Sequence, residues 1–208
     1  DDYSIPLYLS HTVTEIHGKD RIEGVTVSAV DGNLKPIEGT EKYYPCDTLI
    51  LSVGLIPDNT ILENAGVEID PVTNGAVVDE HLMTSVPGIF SAGNMLHVHD
   101  LADFASAEAE AAAENAFLYA SGKLDAGRNL SVVPGEGISH TVPGRITGYG
   151  PFTVSLRVRK KSRGRTVEVR QGGKILGYRF FPLVIPSQMI TVSAEAATGC
   201  EDVEVIVR

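Results

Sequence analysis

A short apolar segment that ends in glycine leads into an alanine-rich stretch at the centre of the sequence. The segment is TSVPGIFSAGN, residues 84–94, and the alanine-rich stretch is DLADFASAEAEAAAENAFLYAS, residues 100–121. Nine of these 22 residues are alanine, the strongest helix former, so a helix is expected there. Asp100 is its expected N-cap, and Gly122 is its expected end. Residues 88–93 predict a short buried strand that runs into a glycine turn.

A second apolar run lies upstream of the first. It is CDTLILSVG, residues 46–54, and a break at Pro57-Asp58-Asn59 follows it. A nearly unbroken apolar run of this length is typical of a strand buried on both faces, as in a parallel sheet. A short helix is expected at 59–65. Taken singly, each of the two apolar segments also fits a tight turn after a core strand.

The two segments together, in this order and followed by the alanine-rich helix, resemble the C-terminal part of the FAD-dependent pyridine nucleotide-disulfide oxidoreductases. That superfamily includes thioredoxin reductase. Further stretches resemble one branch of it, the FAD-dependent oxidoreductases that accompany anaerobic glycerol-3-phosphate dehydrogenase-like proteins. These stretches are LSHTVT (9–14), CDTL (46–49), GNMLHVHDL (93–101) and VIPSQM (184–189).

The resemblance implies an α/β fold, a partial two-dinucleotide-domain flavoprotein of the NAD(P)/FAD-binding Rossmann-like type, followed by a small all-β sandwich or barrel. The implied activity passes a hydride from NAD(P)H to FAD, and then electrons to a disulfide or a partner-protein acceptor. The implied cofactors are therefore FAD together with NAD or NADP. The alternative is a non-catalytic interaction module that docks a partner dehydrogenase through its β-domain.

The resemblance also assigns roles to individual residues. Gly93 ends a strand and would let the cofactor approach the backbone closely. Asn94 stands where the family usually has an aspartate that binds the ribityl chain of FAD; the alternative is a turn residue in the left-handed region. The backbone amides of Ala102 and Asp103 would face the flavin pyrimidine at the positive end of the helix. Gly54 would mark the crossing from the nicotinamide domain to the FAD domain.

No glycine-rich G-x-G-x-x-G phosphate loop occurs in this sequence, whereas members of the superfamily carry two. We therefore expect a C-terminal portion of an enzyme that is inactive in isolation. The expected parts are a remnant of the nicotinamide-binding domain over 1–60, with a β-meander and the buried strand, and the C-terminal part of the FAD-binding domain over 61–124. A linker over 125–138 and a β-domain over 139–208 follow.

The meander is predicted from two alternating stretches, near residues 12–16 and 22–30, with a hairpin signal at Asp31-Gly32. A meander without the sheet that it normally packs on exposes apolar side chains and strand edges. We therefore expect self-association through this region. The apolar side chains concerned are Leu7, Leu9, Val13, Ile16, Val25 and Val27.

The C-terminal part of the sequence is predicted to be all-β. Alternating stretches at 152–159, 166–171, 174–181, 189–193 and 203–207 predict five strands, and Gly172-Gly173 predicts a two-residue hairpin loop. Nine Lys and Arg residues lie between Arg157 and Arg179. Single-stranded nucleic acid, a charged hairpin and an acidic partner all fit this basic segment; we favour the hairpin and expect no nucleic acid.

His97 and His99 lie two residues apart in the loop before the helix. Because a metal site needs three or four ligands and no further cluster follows in the sequence, we expect no metal. Two roles remain open for these histidines. One is a proton donor or substrate contact beside the flavin, and the other is a solvated or capping histidine.

Cys46 and Cys200 are far apart, which excludes a disulfide-rich scaffold or a Cys-x-x-Cys pair.

Composition and hydropathy indicate a globular chain without a membrane span, and the charges divide it into two parts. The 208 residues are 43% hydrophobic and carry a net charge of −10, values typical of a globular chain. Residues 1–127 hold 21 acidic and 5 basic side chains, whereas residues 128–208 hold 6 and 12, which indicates two units with different surfaces. No apolar run is long enough to span a bilayer, and we expect a cytoplasmic protein.

Overall fold

The computed structural model describes residues 3–124 and 129–208. Backbone contacts divide the chain into two compact units, Asp1–Gly54 and Leu55–Arg208.

The first unit is an antiparallel sheet of three strands in the order β1, β2, β3. The strands are β1 His11–His17, β2 Gly24–Ala29 and β3 Lys42–Pro45. Each strand pairs with the one before it, so the predicted meander is confirmed. The sequence predicts that its apolar side chains are exposed. Leu7, Leu9 and Ile16 are exposed as predicted, but Val25 is buried.

The predicted buried strand over residues 46–54 is wrong. This segment forms no strand in the described part of the chain, and Ile50 and Val53 are each 86% exposed. The apolar pattern specifies a strand that is covered on both faces. Such a strand needs neighbouring strands to satisfy its backbone and apolar layers to cover it. The described part of the chain provides neither the neighbouring strands nor the covering layers for residues 46–54.

The second unit begins with two helices. Helix α1 spans Thr60–Asn64 and helix α2 spans Ala102–Ala120, both close to their predicted positions. The predicted strand at 88–93 is absent: Phe90 makes one isolated bridge with Met83, and a 3₁₀ turn begins at Gly93. The partner strands that would extend this bridge into a ladder are missing from the described residues.

A β-sandwich forms the rest of the second unit. Its strands are β4 Leu130–Pro134, β5 Ile138–Val142, β6 Arg145–Ile146, β7 Phe152–Val158, β8 Ser162–Gln171, β9 Lys174–Val184, β10 Ile190–Ala194 and β11 Val203–Val207. One sheet has the order β10, β7, β5 and the other has the order β6, β4, β11, β8, β9. Alternate side chains from both sheets, such as Leu156 and Val167, are fully buried between them. Gly172 and Gly173 form the predicted hairpin loop with φ of 53° and 83°.

The helical part and the sandwich of the second unit pack on one another. A second apolar cluster joins Val78 and Leu96 to Val142 of β5. The carboxylate of Glu80 accepts a hydrogen bond from the backbone N–H of Thr147 at 2.8 Å. Strand β4 lies inside the predicted linker, whose residues 125–128 are outside the described residues. The four-part division of the chain stays a prediction. Across the described ranges, no helix is both long and apolar enough to cross a membrane.

Candidate functional site

The turn at Gly93 lies between the isolated bridge of Phe90 and helix α2. Gly93 has a φ of +70°, in the left-handed region that glycine adopts without strain. Beneath the turn, the buried side chain of Asn59 donates hydrogen bonds to the carbonyls of Asn74, at 2.5 Å, and Met95, at 3.1 Å. Gly75 also approaches the turn closely, since a Cβ there would lie 1.7 Å from the carbonyl oxygen of Leu96. The turn is therefore fixed from below by the start of the second unit.

Glu108 of helix α2 connects this turn to the helix. Its Oε2 accepts a hydrogen bond from the backbone N–H of Gly93 at 2.6 Å. The same carboxylate contacts two imidazoles, with 2.9 Å from Oε1 to Nε2 of His97 and 3.0 Å from Oε2 to Nε2 of His99. The side chains of His97, His99 and Glu108 are 1%, 8% and 14% exposed. We call these three residues the His–His–Glu cluster.

The contacts of Glu108 keep its carboxylate ionised. Burial alone would raise the pKa of Glu108, but the hydrogen bonds and charge of His97, the hydrogen bond of His99 and the N–H of Gly93 outweigh it. The net pKa of Glu108 is below its usual value. A buried anion of this kind costs free energy unless donors or cations surround it. The buried carboxylate of Glu108 is therefore held by three hydrogen-bond partners behind the Gly93 turn.

Asn94 and the start of helix α2 lie on the outside of this turn. Asn94 is exposed, and its Oδ1 accepts a hydrogen bond from the backbone N–H of His99 at 3.0 Å. Ala102 and Asp103 are exposed in the first turn of the 19-residue helix. The structure thus places four of the predicted site residues in one continuous segment, 93–103. Gly54 belongs to the first unit, where it is exposed with a φ of +99°.

Asp100 does not cap helix α2 as predicted. The N-cap position is Leu101, and no side-chain capping bond is found there among the described residues. The Oδ1 of Asp100 instead lies 2.6 Å from Nη2 of Arg157 on β7, and its Oδ2 accepts a hydrogen bond from the backbone N–H of Met189 at 2.7 Å. Arg157 also donates to the carbonyl of Val98 at 3.0 Å. These contacts draw the side chain of Asp100 away from the helix and towards the sandwich.

Sequence reasoning missed three residues of this region. Arg157 and His140 lie far from the Gly93 turn in sequence. Glu108 lies on a helix face with no distinguishing pattern. Burial, the charge of His97 and the charge of Arg157 lower the pKa of His140 to about 4. The Nε2 of His140 is buried and has no hydrogen-bond partner among the residues that the structure describes. The spacing of His97 and His99 was the one local signal of this centre.

Comparison with known proteins identifies the family. The model of a family described as pyridine nucleotide-disulphide oxidoreductase matches residues 2–111, which is more than half of the chain. This chain belongs to that family. The match contains the whole of segment 93–103 and all three residues of the His–His–Glu cluster. The predicted cofactors, FAD with NAD or NADP, agree with the pyridine nucleotide-disulphide oxidoreductases.

Individual relatives match only part of their length. A probable ferredoxin reductase of Castellaniella defragrans is 31% identical over 98 residues, which are 44% of this chain and 23% of that protein. A thioredoxin reductase of Listeria monocytogenes is 33% identical over 96 residues, which are 45% of this chain and 27% of that protein. The solved structure of T. acidophilum thioredoxin reductase is 31% identical, covers 58% of this chain and 38% of its own, and has a TM-score of 0.44. The chain thus spans about a quarter of the length of these two curated relatives.

Proposed function

We propose that this chain is the C-terminal portion of an FAD- and NAD(P)H-dependent oxidoreductase in which segment 93–103 contacts the flavin. In the whole protein a hydride passes from the nicotinamide to FAD, and electrons then pass to a disulfide or to a partner protein. Family membership supports the reaction class, and the geometry of the Gly93 turn supports the assignment of the segment.

The observation that carries the proposal is the arrangement of an open glycine turn immediately before an exposed helix start. Gly93 has no side chain to obstruct a ligand, and the nearest atom to a Cβ built there is the Cβ of Ala105 at 4.0 Å. Asn94 next to it presents an amide to solvent, and an amide can bind a ribityl hydroxyl. One surface of the turn is therefore open to the ribityl chain.

Helix α2 supplies the second element of the proposed flavin site. The first turn of a helix has unpaired N–H groups and a partial positive charge. These groups stabilise negative charge that develops on the flavin pyrimidine when the flavin is reduced. Ala102 and Asp103 are exposed there. Arg157 pairs with Asp100, two residues before the helix, and holds the start of the helix in place. The chain's own part in the chemistry is thus to orient the flavin and to stabilise its reduced form.

The finer assignment also belongs to this proposal. The stretches quoted above favour the branch that accompanies anaerobic glycerol-3-phosphate dehydrogenase-like proteins, with a partner dehydrogenase as electron acceptor and with Gly54 at the crossing between the nicotinamide and FAD domains. Free Cys46 and Cys200 fit a reducing cytoplasm.

The second candidate function is an interaction module that docks the partner dehydrogenase through the basic β7–β8 region. A flavin-free intact protein would favour it.

Asn94 variants of the intact oxidoreductase test the proposed flavin contact. Asn94→Leu removes a neutral hydrogen bond to the ribityl chain, so the Kd of FAD should rise about 2- to 10-fold. Asn94→Asp restores the usual residue of the family and should tighten FAD binding. Asn33→Leu, in an exposed turn of the meander, is the control and should leave the Kd unchanged. Equal FAD affinity in all four proteins would refute the assignment.

A further inference from the structure

We propose that the His–His–Glu cluster binds a divalent first-row transition metal ion. Only two candidate ligands lie near each other along the chain, so the sequence alone predicts no metal site. The fold adds the third ligand, Glu108, from the second turn of helix α2. This inference does not depend on the proposed flavin contact.

The positions of the ligand atoms favour a metal. One ring nitrogen each of His97 and His99 and one carboxylate oxygen of Glu108 all lie within 4.8 Å of one another. Bonds of about 2.0–2.2 Å to one zinc ion place neighbouring ligand atoms about 3–3.6 Å apart. The separations between imidazole and carboxylate atoms, 2.9 Å to Oε1 and 3.0 Å to Oε2 of Glu108, are close to that range. The three ligand groups therefore lie close enough together to share one ion.

The donor chemistry defines the class of ion. Two imidazole nitrogens and one carboxylate oxygen suit Zn²⁺ and Fe²⁺ rather than Ca²⁺ or Mg²⁺, which prefer all-oxygen sites. Three protein ligands leave at least one coordination position for water. We commit to Zn²⁺ as the probe, and Co²⁺ serves as its spectroscopic substitute.

The electrostatics of the cluster also call for a cation. The carboxylate of Glu108 is largely buried, and among the described residues its ion-pair partners are two histidines. Arg157, the nearby permanent cation, pairs with Asp100 instead. In addition, Nδ1 of the almost fully buried His97 has no hydrogen-bond partner among residues 3–124 and 129–208. A divalent ion would neutralise the buried carboxylate.

Backbone contacts hold the ligands in position. The N–H of Gly93 fixes Oε2 of Glu108, and Oδ1 of Asn94 fixes the backbone of His99. Such supporting hydrogen bonds orient the ligands of protein metal sites. A bound ion would therefore cross-link the Gly93 turn to helix α2, directly behind the surface of segment 93–103.

Metal binding to the 208-residue chain tests this proposal. Zn²⁺ is added, the excess is removed, and bound metal is measured; a Co²⁺ titration followed by visible absorption reports the ligand field and the Kd. We expect one equivalent of metal in the wild type. His99→Gln and the isosteric Glu108→Gln should each weaken binding at least about tenfold.

His17→Gln is the matched control. His17 also lies next to a glutamate, with 3.7 Å from its Nε2 to Oε2 of Glu15, but that pair is partly exposed. Among the described residues, no third side chain completes a metal-binding group around this pair. The metal affinity of His17→Gln should therefore equal that of the wild type. Circular dichroism establishes that each variant is folded, and Glu108→Asp replaces Glu108→Gln if the latter is not.

Two results would overturn the proposal. One is a folded wild-type chain that retains no Zn²⁺ and gives no Co²⁺ ligand-field bands. The other is equal binding in the cluster variants and in His17→Gln. FAD binding by the intact protein is measured separately, so an intact wild-type protein that binds FAD but no Zn²⁺ would contradict this inference and leave the proposed function standing.

Discussion

The buried imidazole of His140 ties the stability of the second unit to pH. Its folded pKa of about 4 lies below the value of about 6.5 expected in the unfolded chain. The folded state therefore binds fewer protons than the unfolded state between these values, and stability is lost as pH falls from about 6.5 to about 4. After a discount for partial exposure, we expect His140 to account for about 1–2 kcal/mol of this loss.

Chemical denaturation of the wild type and of His140→Gln across this pH range measures the effect. The glutamine does not titrate, so its unfolding free energy should fall less steeply. Above a pH of about 6.5 the difference between the two proteins should be constant. Parallel curves from about pH 7 to about pH 4 would show that His140 titrates normally in the folded chain.

Single residues also show where sequence reasoning ends. Gly93 could be predicted as a turn residue because a glycine after an apolar segment has few other roles. Glu108 could not be singled out, since its helix carries other glutamates such as Glu110 and Glu114 with the same local composition. Only the packing of α2 against the Gly93 turn distinguishes Glu108 from them.

At the scale of elements, a helix or strand was predicted correctly more often when it needs few partner strands distant in sequence. Alanine content alone specified α2, and local alternation with tight turns specified the meander and the strands from β7 to β11. The run at 46–54 carries an equally clear pattern, yet it forms no strand in the described chain because a buried parallel strand depends on partners distant in sequence. The short strands β4 to β6 were missed, and β4 lies inside the stretch that was predicted as a linker.

The contact between Arg157 of β7 and Asp100 holds the start of α2 against the sandwich. Both side chains are largely buried, so Arg157→Ala leaves the carboxylate of Asp100 without its cation and the carbonyl of Val98 without a donor. We expect a loss of about 1–3 kcal/mol in local stability, seen as faster hydrogen exchange in the first turn of α2 and at Met189.

Lys161→Ala, on the exposed β7–β8 turn, provides the comparison for this variant. It removes a positive charge from the same basic segment and should leave exchange in α2 as in the wild type. Exchange in α2 that is unchanged by Arg157→Ala would mean that the helix start is held by other contacts.

At the scale of the whole molecule, exposed apolar side chains are concentrated on either side of Gly54. Ile50, Leu51, Val53, Leu55 and Ile56 are all exposed. Apolar surface of this kind promotes association. We therefore predict that the chain self-associates, with a mass by light scattering well above the 22.2 kDa of a monomer.

Replacing Ile50, Val53 and Ile56 together by serine should shift the chain towards the monomer. Ile61→Ser changes a single exposed residue of α1 and should not. The expected contribution of the meander is tested by serine at Leu7 and Leu9. A wild-type chain that remains monomeric at high concentration would disprove association through either region.

The most direct test of the proposed function is the reduction of bound flavin in the intact oxidoreductase by NADH and by NADPH. The account predicts that the purified protein carries FAD, and that the visible absorption band of the flavin disappears when one of the two nicotinamides is added without oxygen. Gly93→Val should lower the flavin content severalfold, because it places a branched side chain on the surface proposed to face the ribityl chain and at a positive φ. A protein that carries no flavin, or whose flavin content is unaffected by Gly93→Val, would contradict the account.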